Sequence, residues 1–104
     1  MDIETVTHES FESCLGEIFR VDRGDDVAPV DLELIQVDIR GEPKSVGEGE
    51  KPRHGFSLLF AGPGDAVLAQ GTFRLEHAFL GSADLFMVPI GLEGDRMRYE
   101  IIIN

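Results

Sequence analysis

The side chains able to do chemistry are few and lie far apart in the chain. The histidines are His8, His54 and His77, and the only cysteine is Cys14. A metal centre needs several nitrogen, sulfur or carboxylate donors that converge, commonly at i, i+4 or strand-adjacent spacing. No histidine has another His or Cys in such a pattern. Ser45, Ser57 and Ser82 read as ordinary loop and strand serines, because none sits in a Gly-x-Ser-x-Gly elbow. Ser57 or Ser82 with His77 is the residual hydrolase reading. Asp22, Asp25 and Asp26 lack the spaced Asp-x-Asp-x-Asp-Gly loop and distal Glu of a calcium site. Gly62-Pro-Gly-Asp65 is a turn and not a phosphate loop, since no Gly-Lys-Ser/Thr follows and no helix begins there. Arg23-Gly-Asp25 matches a tripeptide of cell-adhesion ligands, which without an export signal reads as chance. No catalytic residue, metal or cofactor is predicted.

The elements that must position these residues are mostly strands. One short helix is predicted over about 7–15, with Thr7 as N-cap and Glu9 in the first turn, where the helix dipole favours an anion. Phe11, Cys14 and Leu15 form its apolar stripe, and Gly16 is placed to end it in a left-handed conformation. Strands are predicted at about 17–21, 31–40, 56–61, 70–77, 84–90 and 97–103 from period-2 patterns and Gly/Pro/Asp punctuation. The second changes phase: Leu32 and Leu34 share one parity, and Ile35, Val37 and Ile39 share the other. Either a bulge falls near Leu34–Ile35 or both faces are covered. Pro89 has no N–H to donate, so that part of its strand must lie at an edge or a bulge. His77 shares parity with Phe73 and Leu75 and is read as a hydrogen-bonded residue at a strand end.

Residues 41–55 are polar and broken by Gly and Pro, and read as a mobile hairpin connection. Short connections elsewhere argue for antiparallel pairing of neighbours. The fold class predicted is mainly β (α+β by the short N-terminal helix). About six antiparallel strands form a meander, closed as a small barrel or two-layer sandwich within a single domain, 1–104. The last strand ends in Ile101-Ile-Ile103. As an edge it would invite strand addition or homo-oligomer contact; the favoured reading is that it closes the sheet beside the first strand.

Twenty acidic residues against nine basic give a net charge of −11. Residues 1–52 carry fourteen acids and five bases, and residues 53–104 carry six and four. Such a field repels phosphate backbones and anionic headgroups, so neither nucleic acid nor membrane is a predicted partner. A protein with a basic surface is. The lone thiol and the absence of a basic-then-apolar leader predict a cytoplasmic protein. No uninterrupted apolar run approaches the ~20 residues of a membrane helix.

Gln70-Gly-Thr-Phe-Arg-Leu-Glu-His77, Leu80-Gly81, Leu85-Phe-Met-Val-Pro-Ile-Gly91 and Tyr99 to Asn104 together resemble an uncharacterised bacterial family of small domains. That family carries Gln-Gly-Thr-Tyr/Phe-x-Leu-x-His, then Leu-Phe-x-Val-Pro-x-Gly, then a Tyr-containing last strand ending in Asn. Phe56-x-Leu-Leu-Phe60, Gly62-Pro63 and the opening Thr7 to Phe11 fit as well, so the resemblance spans most of the chain. Where family members commonly have Phe before the final Asn, this chain has Ile103, which keeps the position apolar. The resemblance implies association with phage-tail-collar-like proteins and brings no catalytic residues.

The function expected is therefore a non-enzymatic protein-interaction or assembly module, an adaptor or chaperone-like partner of a phage-tail-like or fibre protein. The candidate interaction surface is Glu42, Lys44, Glu48, Glu50, Lys51, Arg53 and His54 of the long loop, with Ile101 and Ile103 of the last strand. The alternatives are a small-ligand-binding barrel with an interior bounded by Phe60, Phe73, Phe86 and Tyr99, and an unrecognised hydrolase.

Overall fold

Alternating apolar residues and polar turns produce one helix and six strands in the computed structural model, which describes residues 1–3, 5–44 and 53–104. The elements are α1 (His8–Glu12), β1 (Ile18–Asp22), β2 (Val30–Lys44), β3 (Arg53–Pro63), β4 (Gly71–His77), β5 (Gly81–Glu93) and β6 (Arg96–Ile103). All pairings are antiparallel, and the strands form a closed ring in the order β1-β2-β3-β6-β5-β4. Among the described residues no helix is long and apolar enough to cross a membrane.

The mainly β class and the antiparallel pairing agree with the sequence, but the single meander does not. The ring consists of two three-stranded meanders, β1-β2-β3 and β4-β5-β6, joined along β3·β6 and β1·β4. Residues 64–70 cross from one meander to the other because Leu68 is buried in the core. Its backbone N–H donates to the Tyr99 hydroxyl at 2.8 Å, which holds the crossing against β6. The last strand therefore lies between β3 and β5, not beside β1 and not at an edge.

Two long strands make the ring possible by changing partners. β2 pairs with β1 over Val30–Glu33 and with β3 from Glu33 onward. β5 pairs with β4 over Gly81–Met87 and with β6 over Val88–Glu93. Each carries a register shift near its switch, between Leu34 and Gln36 and between Pro89 and Gly91. An extra residue bends a strand and raises its twist, which is how a sheet turns a corner. The phase change at Leu34–Ile35 and the missing N–H of Pro89 are the local signs of these bulges.

The other differences concern element ends. The helix stops at Glu12, because Gly16 N–H donates to Leu34 O (2.8 Å) and Leu34 N–H to Glu17 O (3.1 Å), drawing the chain into the β2 ladder. Gly16 has φ +84°, the left-handed conformation expected of it. Leu15 is thereby turned 48% into solvent, whereas Phe11 and Cys14 stay buried. Phe11 plugs the ring, with ring centroids 6.1 Å from Phe19 and 5.6 Å from Phe56. The expected loop 41–55 is shorter than its composition implied. A positive φ at Gly41 and a register shift between Arg40 and Lys44 let the hairpin continue to the pair Lys44↔Arg53. Residues 45–52 lie outside the described residues.

Replacing Tyr99 with Phe keeps the buried ring and strands the Leu68 N–H. A buried donor left unpaired costs about 1–3 kcal/mol. Urea unfolding should register that loss, and an unchanged midpoint would show that the amide is satisfied another way.

Candidate functional site

The most organised polar group of the molecule is His77. Strand alternation turns it inward with Leu75, and its ring lies 4.5 Å from that of Phe19. A buried imidazole must have its nitrogens bonded. Nδ1 accepts the backbone N–H of Phe79 and of Leu80, each at 3.1 Å. A nitrogen that accepts two N–H groups carries no proton of its own, so the proton sits on Nε2 and is donated to Glu17 Oε1 at 2.6 Å. Glu17 immediately precedes β1, and His77 ends β4. Those strands share only Arg20↔Glu76, Val21↔Leu75 and Asp22↔Arg74, so the side-chain bond adds one more tie to a short seam.

Cys14 stands beside this pair. Its sulfur, a Glu17 oxygen and a His77 nitrogen all lie within 4.8 Å of one another. A metal ion would need the lone pair of Nε2, which requires the proton to move to Nδ1. That proton would meet the N–H groups of Phe79 and Leu80 head-on. The thiol fits no better. Burial first, then the Glu17 charge and a hydrogen bond to it, push the Cys14 thiol above its ordinary 9.0, so it is neither a ready thiolate ligand nor an activated nucleophile. The cluster is a closed knot of mutually satisfied groups. It also leaves no ring nitrogen of His77 for Ser57 or Ser82, so the proposed hydrolase arrangement lacks its base.

The ligand-binding interior is altered as well. Phe60 and Tyr99 are fully buried and pack in the core, but Phe86 is 52% exposed and on the outer face. Two depressions among the described residues are open surface features and touch neither Phe60 nor Tyr99. One, of about 350 Å³, is lined by Ile18, Arg20, Asp31, Glu76, His77 and Ala78. The other, of about 520 Å³, runs from Pro63 to Asp65 and from Leu92 to Arg96.

The expected interaction surface is dispersed. Ile101 and Ile103 point into the core at 1% and 4% exposure, because odd-numbered residues of β6 face inward; they are not surface contacts. The backbone of Glu42, Lys44 and Arg53 belongs to the β2–β3 hairpin. His54 is half-buried, with Nδ1 3.4 Å from Gly41 O and its ring 6.2 Å from that of His8. Glu48, Glu50 and Lys51 lie outside the described residues.

Sequence reasoning missed a more conspicuous group. Phe79 is 92% exposed on the three-residue β4–β5 turn, whose backbone His77 holds. Between Ala78 and Leu80 it is one apolar residue among others of a strand-rich half, and only its position at the turn separates it. Leu80 packs against the core; Phe79 does not.

Fold and site together define a small closed-sheet β domain in which the buried His77 is tied to the exposed Glu17 across the β1–β4 seam. The chain belongs to the family described as Domain of unknown function (DUF6916), whose model matches residues 6–103. No curated protein and no solved structure matches it.

Two measurements probe the knot. Replacing His77 with Ala frees the Phe79 and Leu80 amides and should lower unfolding stability by about 1–3 kcal/mol. Long-range proton–nitrogen NMR of the natural chain should show Nδ1 as the unprotonated nitrogen. A protonated Nδ1 would reopen the metal reading. The Cys14 thiol, raised in the folded state, retains its proton to higher pH than in the unfolded chain. Its stabilising contribution is complete below about pH 9 and is lost as pH rises through the folded value. Unfolding midpoints across about pH 8–10 should therefore fall more steeply for the natural chain than for Cys14→Ala. Equal slopes would assign the pH dependence to other groups.

Proposed function

We propose that the domain is a non-enzymatic protein-interaction or assembly module whose partner presents a basic surface. The observation that carries this reading is the surplus of surface carboxylate. Four arginines are matched one to one: Arg20 with Asp31, Arg74 with Asp84, Arg96 with Glu33 and Arg98 with Glu93. Arg23 is turned back onto its own turn, donating to Ala28 O at 2.8 Å. Glu76, Glu100, Asp65 and Asp95 form no direct ion pair among the described residues, although Glu76 lies opposite Arg20 across β1–β4 and in the field of Arg74. Glu17 is bonded to an imidazole whose Nδ1 accepts two backbone N–H groups. A protein that brings Lys or Arg to these groups gains attraction and association rate.

The candidate catalytic group points the same way, since His77 spends both nitrogens on holding the chain together. The resemblance of the β3–β6 motifs supplies the class of partner, a phage-tail-like or fibre protein for which this chain acts as adaptor or assembly factor.

Cross-linking in the native host, followed by purification of the cross-linked partner, tests the reading. The purified pair should bind more weakly as salt shortens the screening length from about 30 Å at 0.01 M to about 8 Å at 0.15 M. A monodisperse monomer with no specific cross-link, or binding indifferent to salt, would defeat it.

A further inference from the structure

Phe79 demands an explanation that the fold does not provide. Short turns favour Gly, Asn, Asp and Pro for conformational reasons. This one carries Ala78, Phe79 and Leu80, of which Leu80 packs against the core and Phe79 is 92% exposed. The aromatic side chain stabilises nothing that it touches. Yet its backbone is among the most firmly held in the molecule. His77 Nδ1 accepts the N–H of Phe79 itself and of the next residue, Gly81 closes the turn at φ +87°, and His77 and Gly81 are paired across the ladder. An aromatic group on a pre-ordered turn loses little freedom on binding, and such groups dominate interface energies.

The ground beside it is acidic. The depression of about 350 Å³ next to the turn has the exposed Ile18 among its lining residues, with Arg20, Asp31 and Glu76 at its sides. Arg20 is held by Asp31 at 3.5 Å, so Glu76, which lies opposite Arg20 across the ladder and near Arg74, forms no direct ion pair among the described residues. Glu17, exposed and bonded to the His77 that lines the same depression, adds a further carboxylate beside it. Its volume is at the low end of the roughly 300–1,000 Å³ of ligand pockets and suits one long side chain.

Resting on the reading of the domain as a protein-binding module, we propose that the β4–β5 turn is its anchor. Phe79 enters an apolar pocket of the partner protein, and a Lys or Arg from the rim of that pocket fills the depression against Glu76, Asp31 and Glu17. A second copy of this chain is the less suitable occupant, because each copy brings a net charge of −11 to the contact.

The test uses the intact chain in its native host, with the photo-reactive benzoylphenylalanine at position 79. The cross-linked partner is identified, and the labelled peptide should be apolar with Lys or Arg beside it. Binding of the purified partner is then compared for the natural chain, Phe79→Ala, Glu76→Lys and Val67→Ala, the last an exposed apolar residue in the 64–70 connection. Phe79→Ala should melt like the natural chain, since the residue is exposed, and should bind about 30-fold more weakly or worse, the loss typical of an interface hot spot. Glu76→Lys should slow association and flatten the salt dependence, and Val67→Ala should change nothing. A purified partner that binds Phe79→Ala as tightly as the natural chain would overturn the anchor and leave the module reading standing. Cross-links from position 79 to a second copy alone would overturn the partner chemistry. If no partner is found from any position, both readings fall together.

Discussion

A closed sheet is only as closed as its shortest seam. Here β3 and β6 share eight paired positions, from Phe56↔Ile103 to Pro63↔Arg96, whereas β1 and β4 share three. The Glu17–His77 hydrogen bond extends the shorter seam by a side-chain rung at the point where backbone pairing stops. That rung works with the three backbone pairs: Phe19 packs against the imidazole, Val21 and Leu75 face inward beside it, and the turn that follows is fixed. One histidine thus joins the two meanders and shapes the most exposed apolar point of the surface.

Closure also requires strands that bend. β2 and β5 each serve one partner with their first part and another with their second, and each is irregular near the change. A chain of 104 residues leaves little room for any other device. The helix and the 64–70 crossing then contribute Phe11 and Leu68 to the packed interior.

Much of this was legible locally. Local patterns of apolar, β-branched and aromatic residues between polar turns located all six strands, because a strand is defined within a few residues. The two bulges left traces in the parity of Leu32–Ile39 and in Pro89. The strand-end bonding of His77 to the residues after it was legible for the same reason. What escaped was non-local. No pattern in residues 17–22 shows that Glu17 will meet a histidine sixty residues later. The order of strands in the ring was hidden too, since a crossing and a hairpin connection have similar composition. Ile101 and Ile103 were misplaced on the surface because an apolar terminal strand looks like an edge until both neighbours are known. The exposure of Phe79 was hidden by its resemblance to the core residues around it.

The arrangement of two successive meanders joined edge to edge has a consequence for the chain as it is made. β3 carries Phe56, Leu58 and Phe60 along a strand whose second neighbour is β6, and β6 is complete only at residue 103. At translation rates of roughly 5–20 residues per second, the stretch from residue 63 to residue 103 takes about 2–8 s to synthesise. Throughout that interval the first meander is present with an apolar strand unpaired along one side. The domain's vulnerable moment is therefore its own birth, when a ribosome-bound half with an open edge is sticky in a way that the finished ring is not.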